Sequence, residues 1–140
     1  MFAPDPDHWL FKLSPEQWMN AAMNELKRAE DAYKRRDVRA GLAGAKRAAG
    51  MALNGALIVK PNDAWGRSYV EHVEALAKDP SAPKDVRDAC ALLLRAPSPG
   101  STIVGLRTKT QDDKVLEAAR DVMAHALSIV MQGWDLPNED

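Results

Sequence analysis

Apolar residues in this chain recur at intervals of three and four, in one segment after another, and that habit decides what the chain can fold into. Val86, Ala89, Cys90, Leu93 and Leu94 follow an i, i+3, i+4, i+7, i+8 pattern, which puts them on one stripe of an α-helix. Trp18, Ala22, Leu26, Ala29 and Tyr33 form a second stripe, and Val115, Ala119, Val122, Ala126 and Ile129 a third. The period-two alternation of a half-buried strand is missing. One short extended piece is expected at 102–106, with no evident partner strand. The expectation is an all-α, up-down bundle of four to five helices.

Punctuation residues set the ends. Ser14-Pro15-Glu16-Gln17 reads as a helix start: Ser14 caps, Pro15 suits the first helical position and Gln17 closes a capping box. That helix runs to about Arg36. Asp37 caps the second, whose buried face is Val38, Leu42, Ala45, Ala49, Ala52, Ala56 and Leu57. Each of its glycines costs about 1 kcal/mol of helix propensity relative to alanine, offset where a neighbouring helix approaches closely. The short link makes the two an antiparallel hairpin. Lys60-Pro61-Asn62-Asp63 ends helix two. Tyr69, Val70, Val73, Leu76 and Ala77 mark a third stripe that stops at Asp79-Pro80, and Ser81-Ala82-Pro83 restarts the chain. The third arm is therefore a broken helix or two short ones. After a loop at 96–100, Thr110 is the expected cap of the last helix, with Asp112 and Asp113 near its positive end, and Gly133 its expected stop. Residues 1–140 read as one domain, with an arm at 1–13 whose apolar end packs on the body and a tail at 133–140.

Composition enters as a set of exclusions. At 140 residues and 46% hydrophobic the chain can bury a core. It has no apolar run of about 18 residues, so no spanning helix and no membrane association are expected. MFAPDPDHWLFKL lacks the pattern of a signal peptide. Cys90 is the only cysteine, so no internal disulfide can form, and a cytoplasmic setting is the expectation. With a net charge of −1, any nucleic-acid contact must come from a local patch. Lys34, Arg35, Arg36, Arg39, Lys46 and Arg47 gather around the first hairpin, and Arg107 and Lys109 precede the last helix. Arg107, Lys109 and Arg39 are the candidate RNA contacts; a solvated face beside Glu30 and Asp31 is the other reading. No phosphate-binding glycine loop, nucleophile elbow or His-Glu-x-x-His spacing occurs, so no cofactor or metal is expected.

The last helix carries Arg120-Asp121-Val122-Met123-Ala124-His125. This spacing, the antiparallel first hairpin and the alanine-rich second helix resemble the HEPN family over roughly residues 15–132. HEPN domains are small helical bundles with an arginine four to six residues before a histidine on the final long helix, often with a polar residue after the arginine, as Asp121 stands here. The chain departs from that family near Gly50, where the second helix often carries a glutamate. The resemblance implies a homodimer that brings two Arg/His sets into one cleft and cleaves RNA without a metal. It also implies an alternative, a non-catalytic partner of a nucleotidyltransferase in a toxin–antitoxin module.

The chemistry has its own logic. Cleavage by a ribose 2′-OH needs a base near neutral pH, which suits His125, and a cation for the scissile phosphate, which suits Arg120. Asp121 lies four residues before His125 on one face, where it is expected to orient the imidazole and raise its pKa. Arg120 and His125 are about 140° apart around the helix, so one helix does not join them. Two observations favour a blander reading. Arg67 and His72 repeat the same spacing, and Glu117 is placed to pair with Arg120 on the surface. A helical regulatory or ligand-binding bundle outside the HEPN family also stays open.

Overall fold

The computed structural model describes residues 13–62, 65–66, 68–95 and 109–135, with 109–110 and 133–135 described through their backbone alone. The arm through residue 12, Arg67, the loop at 96–100, the extended piece at 102–106, Arg107 and the tail beyond 135 lie outside the described residues. Among the described residues there are five helices and no strand: α1 (Pro15–Lys34), α2 (Val38–Val59), α3 (Tyr69–Lys78), α4 (Lys84–Arg95) and α5 (Lys109–Asp135).

The helix ends follow local chemistry. The Ser14 hydroxyl accepts from Gln17 N at 3.1 Å and the Gln17 side chain accepts from Ser14 N at 2.8 Å, which is the capping box. At the other end Arg36 takes a left-handed φ of 64°. Its N–H donates to Tyr33 O at 2.9 Å and that of Asp37 to Ala32 O at 2.8 Å, a Schellman closure built without glycine. Asp37 then caps α2 through Ala40 N at 3.2 Å. One residue thus closes α1 and opens α2, which fixes the hairpin. Two expected ends move. Thr110 does not cap α5, because the helix already begins at Lys109. Gly133 does not stop it either, so the first residues of the expected tail, through Asp135, are helical. A single glycine's propensity cost is small against a helix anchored along its whole length by packing.

α2 is the centre of the bundle. It packs against α1, α5 and α3, and residues 52–57 are buried without interruption. This goes beyond the single buried face expected from its pattern, and small side chains make it possible. An added Cβ at Gly44 would lie 3.1 Å from Ala29 Cβ, and one at Gly55 would lie 3.1 Å from Pro15 O. At Gly50 it would coincide with Tyr69, so the glycine is the seat on which α3 begins. The expected stripes supply much of the remaining core, joined by Met19, Trp65, Ala82, Leu116, Met123 and Val130, which they did not include, while one expected member stays out. Val70 is 49% exposed, since α3 buries only His72, Val73 and Leu76.

Pairings give the helix directions. Tyr69 meets Gly50, His72 meets Asn54, and Asp79 shares a cavity with Lys60. α3 therefore runs in the same sense as α2, and the link between Val59 and Tyr69 makes the return. α4 then runs back along α5, with Asp85 facing Asp121 and the length of α4 from Asp85 to Arg95 lining one cavity with Lys114 to Asp121. The third arm is two short antiparallel helices. α5 runs antiparallel to α1: Arg120 reaches Glu30, and Asp112 and Leu116 lie beside Tyr33 and Arg36.

Candidate functional site

α5 presents its three candidate residues in three directions. Its buried side, with Val115, Ala119, Val122, Ala126 and Val130, is inside the core. Arg120 lies on the flank toward α1, where Nη2 is 3.2 Å from Glu30 Oε1. It lines a cavity of about 900 Å3 between the end of α1 and the start of α5. That cavity holds Lys34, Arg36 and Arg120 against Glu30, Asp112, Asp113 and Glu117, so acids outnumber cations and it is no ready funnel for phosphate. The partner expected for Arg120 on its own helix, Glu117, is replaced by one across the groove. The antiparallel register of α1 and α5 puts Glu30 within reach.

His125 faces the opposite way. It lines a cavity of about 320 Å3 together with Lys60, Asn62, Trp65, Leu76, Asp79, Ser81, Ala82 and Ser128. Burial pushes its pKa below the ordinary 6.5, Asp79 and Asp85 pull it up, and Lys60 pushes it down again. The imidazole is therefore neutral at pH 7. This reverses the expectation that Asp121 raises it. Asp121 points to a third cavity, against α4, with Asp85, Asp88 and Lys114. Partial burial raises its own pKa, and the like charges of Glu117 and Asp85 add to that. A spacing of four puts two side chains near one face, but here the two line different cavities, and Asp121 is not among the charges that act on His125.

The other expected contacts scatter. Arg39 is exposed in the first turn of α2, and Lys109 opens α5 with its side chain outside the description. Arg47 is engaged within the fold: its Nε and Nη2 donate to Glu25 Oε1 at 3.4 and 3.2 Å. Arg28 stands 3.6 Å from Glu25 Oε2. Glu25 is buried on α1, so this cluster ties α1 to α2. Cys90 is fully buried, and burial alone pushes its thiol up to about 12, which makes it a core residue and not a nucleophile.

His72, the second histidine at the same spacing, is a core residue. It is 0% exposed. Nδ1 lies 2.7 Å from Trp65 O, and Nε2 lies 2.7 Å from the Asn54 side-chain amide. Burial lowers its pKa, so the ring is neutral and has one N–H. Nδ1 donates that hydrogen to the Trp65 carbonyl. Asn54 Oδ1 stands at Nε2, and because Nε2 must then accept, a half-turn of that amide, which brings round the NH2 otherwise buried without a partner, completes the bond. Trp65, 5% exposed, is thereby pinned to the core edge.

Glu30, Asp79 and Lys60 were not legible as site residues. Asp79 read only as a helix stop, and nothing in its spacing linked it to a histidine 46 positions later. Among the described residues no three His, Cys, Asp or Glu side chains gather as a metal-ligand group. No described helix is long and apolar enough to cross a membrane. Set against family models, curated proteins and solved structures, the chain has no significant match. What is established is its class, an all-α helical bundle.

Proposed function

We propose that the chain is an RNA-cleaving protein of the HEPN-like kind, acting without a metal through Arg120 and His125 joined between two copies. The observation that supports this reading is the outer ridge of α5. Its exposed face is bounded by Arg120 on the α1 side and His125 on the α4 side, with Glu117, Asp121, Ala124 and Ser128 between them, while exposed Leu127 and Met131 continue the row of Arg120. Met23 adds to the same surface. It is seven residues from Glu30 as Leu127 is seven from Arg120, so both repeat the faces of that ion pair about 10.5 Å further along. A second copy crossing at Ala124 covers this apolar surface and sets one chain's Arg120 beside the other's His125. The neutral imidazole takes the proton of a ribose 2′-OH, whose oxygen attacks the adjacent phosphorus to form a 2′,3′-cyclic phosphate, and the 5′-oxygen leaves as a hydroxyl on taking that proton back from the imidazolium. The arginine holds the charge that builds on the phosphoryl oxygens.

The test is cleavage of RNA by the full chain in EDTA. Arg120→Ala and His125→Ala should each abolish it. Mixing and re-equilibrating the two inactive variants should restore about a quarter of wild-type activity, because half the dimers are mixed and each mixed dimer rebuilds one of two sites. No cleavage by the wild type, or full activity in either variant, overturns the reading. A second reading is a non-catalytic module that docks another protein, such as a nucleotidyltransferase. It draws on Arg120 being already occupied by Glu30. It predicts that Met23→Lys and Leu127→Glu release a partner while Arg120→Ala does not.

A further inference from the structure

We propose that Asp79, rather than Asp121, is the carboxylate that faces His125 across a shared cavity, and that Lys60 completes a three-residue centre inside one chain. Three elements meet at this point. Lys60 is the C-cap of α2, Asp79 the C-cap of α3, and His125 lies midway along α5. All three line the cavity of about 320 Å3, whose floor is the buried Trp65, Leu76 and Ala82. An apolar floor under a few convergent polar groups is the usual form of a small binding site.

Asp79 is fixed before any ligand arrives. Its Oδ1 accepts from Ser81 N at 2.9 Å and from Ser81 Oγ at 2.6 Å. These bonds engage one oxygen and leave Oδ2 outside the turn. They also hold the carboxyl below its ordinary range, with the charges of His125 and Lys60 acting in the same direction. The coupling is mutual: Asp79 favours the protonated form of His125, and His125 favours the ionised form of Asp79. The other charges facing His125 are Asp85 from α4, which acts with Asp79, and Lys60 from the end of α2, which acts against both. Asp121 is directed into the α4 cavity among other acids. Lys60 then meets an anionic phosphoryl oxygen at the cavity while the imidazole beside it stays a free base. This use of the centre rests on the function proposed above, whereas the centre itself does not.

The experiment is an NMR titration of the His125 ring in the full chain, comparing wild type with Asp79→Asn, Lys60→Met and Asp121→Asn. Loss of the Asp79 charge should lower the His125 pKa by about half a unit, and loss of the Lys60 charge should raise it by a similar amount. Asp121→Asn should move it by no more than about 0.1 unit. Asp79→Asn also touches the Ser81 turn, and Lys60→Met supplies the independent arm. A larger shift from Asp121→Asn than from Asp79→Asn overturns the proposal, as does a His125 titration that ignores both Asp79 and Lys60. If the titration behaves as expected and RNA cleavage fails, the centre stands and the ribonuclease reading falls. If cleavage holds and the titration fails, only the centre falls.

Discussion

His72 and His125 both stand five residues after an arginine, and the bundle places them in opposite surroundings. His72 is 0% exposed and held at both ring nitrogens by Trp65 and Asn54. His125 opens into a cavity, and its ring makes no hydrogen bond to another described residue. Burial lowers both pKa values, but two carboxylates oppose it at His125, whereas a single one, Glu71, acts at His72. A satisfied histidine inside a core organises the fold. A half-open one, with charges arranged around it, is available for chemistry. The spacing of the motif carries none of this distinction; what separates the two is which helix face points at α2.

The largest effect expected from that contrast is on stability. His72→Ala leaves the Trp65 carbonyl and the Asn54 amide without their partner and opens a void beneath α3. The cost is about 3 kcal/mol. His125→Ala should cost less than about 1 kcal/mol, because the side chain already borders open space. Urea unfolding of the two variants reads the difference directly. Equal losses would mean that His125 is as much a core residue as His72, and the contrast would be gone.

A smaller effect concerns pH. The folded pKa of His72 lies below its ordinary 6.5, so the unfolded chain takes up a proton that the folded chain refuses. The stability contributed by the neutral ring is complete above about pH 6.5 and is lost as pH falls from there toward the folded pKa, at up to about 1.4 kcal/mol per unit. His72→Gln should flatten stability between about pH 7 and pH 5.5, while His125→Gln should stay nearer the wild-type slope. The sign is the same for both histidines. Burial is offset in part at both, by the Trp65 hydrogen bond and Glu71 at His72 and by Asp79 and Asp85 at His125, and His72 should weigh more because its ring is wholly inside the core while that of His125 borders a cavity.

The same contrast separates what the sequence could carry from what it could not. Ser14-Pro15-Glu16-Gln17 and Asp37 are local signals, and each capping bond is made within three residues of its donor. Apolar stripes are nearly as local, and those of α1 and α4 match the buried faces closely, whereas α2 and α5 bury more than their stripes. Val70 escaped because α3 is only ten residues long and its stripe is wider than the surface it meets. The candidate site depends on register between distant helices. Glu30 meets Arg120, and Asp79 shares a cavity with His125, only because α1 is antiparallel to α5 and α3 folds back in the sense of α2. A nine-residue link sets that second relation, and its composition does not announce a return. So Arg120 and His125 were legible as residue types at a spacing, while their partners were not.

The smallest effect is the most pointed, because its sign alone decides between two carboxylates. If Asp121 served His125 as the i, i+4 spacing suggests, neutralising it would remove a favourable partner and cost stability. The fold instead partly buries Asp121, which raises its pKa, and the like charges of Glu117 and Asp85 add a smaller push in the same direction. A raised carboxyl pKa means that the folded state favours the protonated form, so the ionised side chain works against folding at pH 7, and this penalty fades only as pH falls through the folded pKa toward the ordinary 3.8. Asp121→Asn should therefore stabilise the protein at pH 7. The side chain is exposed, and solvent screens it, so the gain is about 0.3 kcal/mol. Added salt should shrink it further, since the repulsion it relieves lies within reach of the ionic atmosphere. Unfolding midpoints of wild type and Asp121→Asn, compared at low and high salt, measure this. A loss of stability at pH 7 would return Asp121 to the side of His125 and take the tuning role away from Asp79.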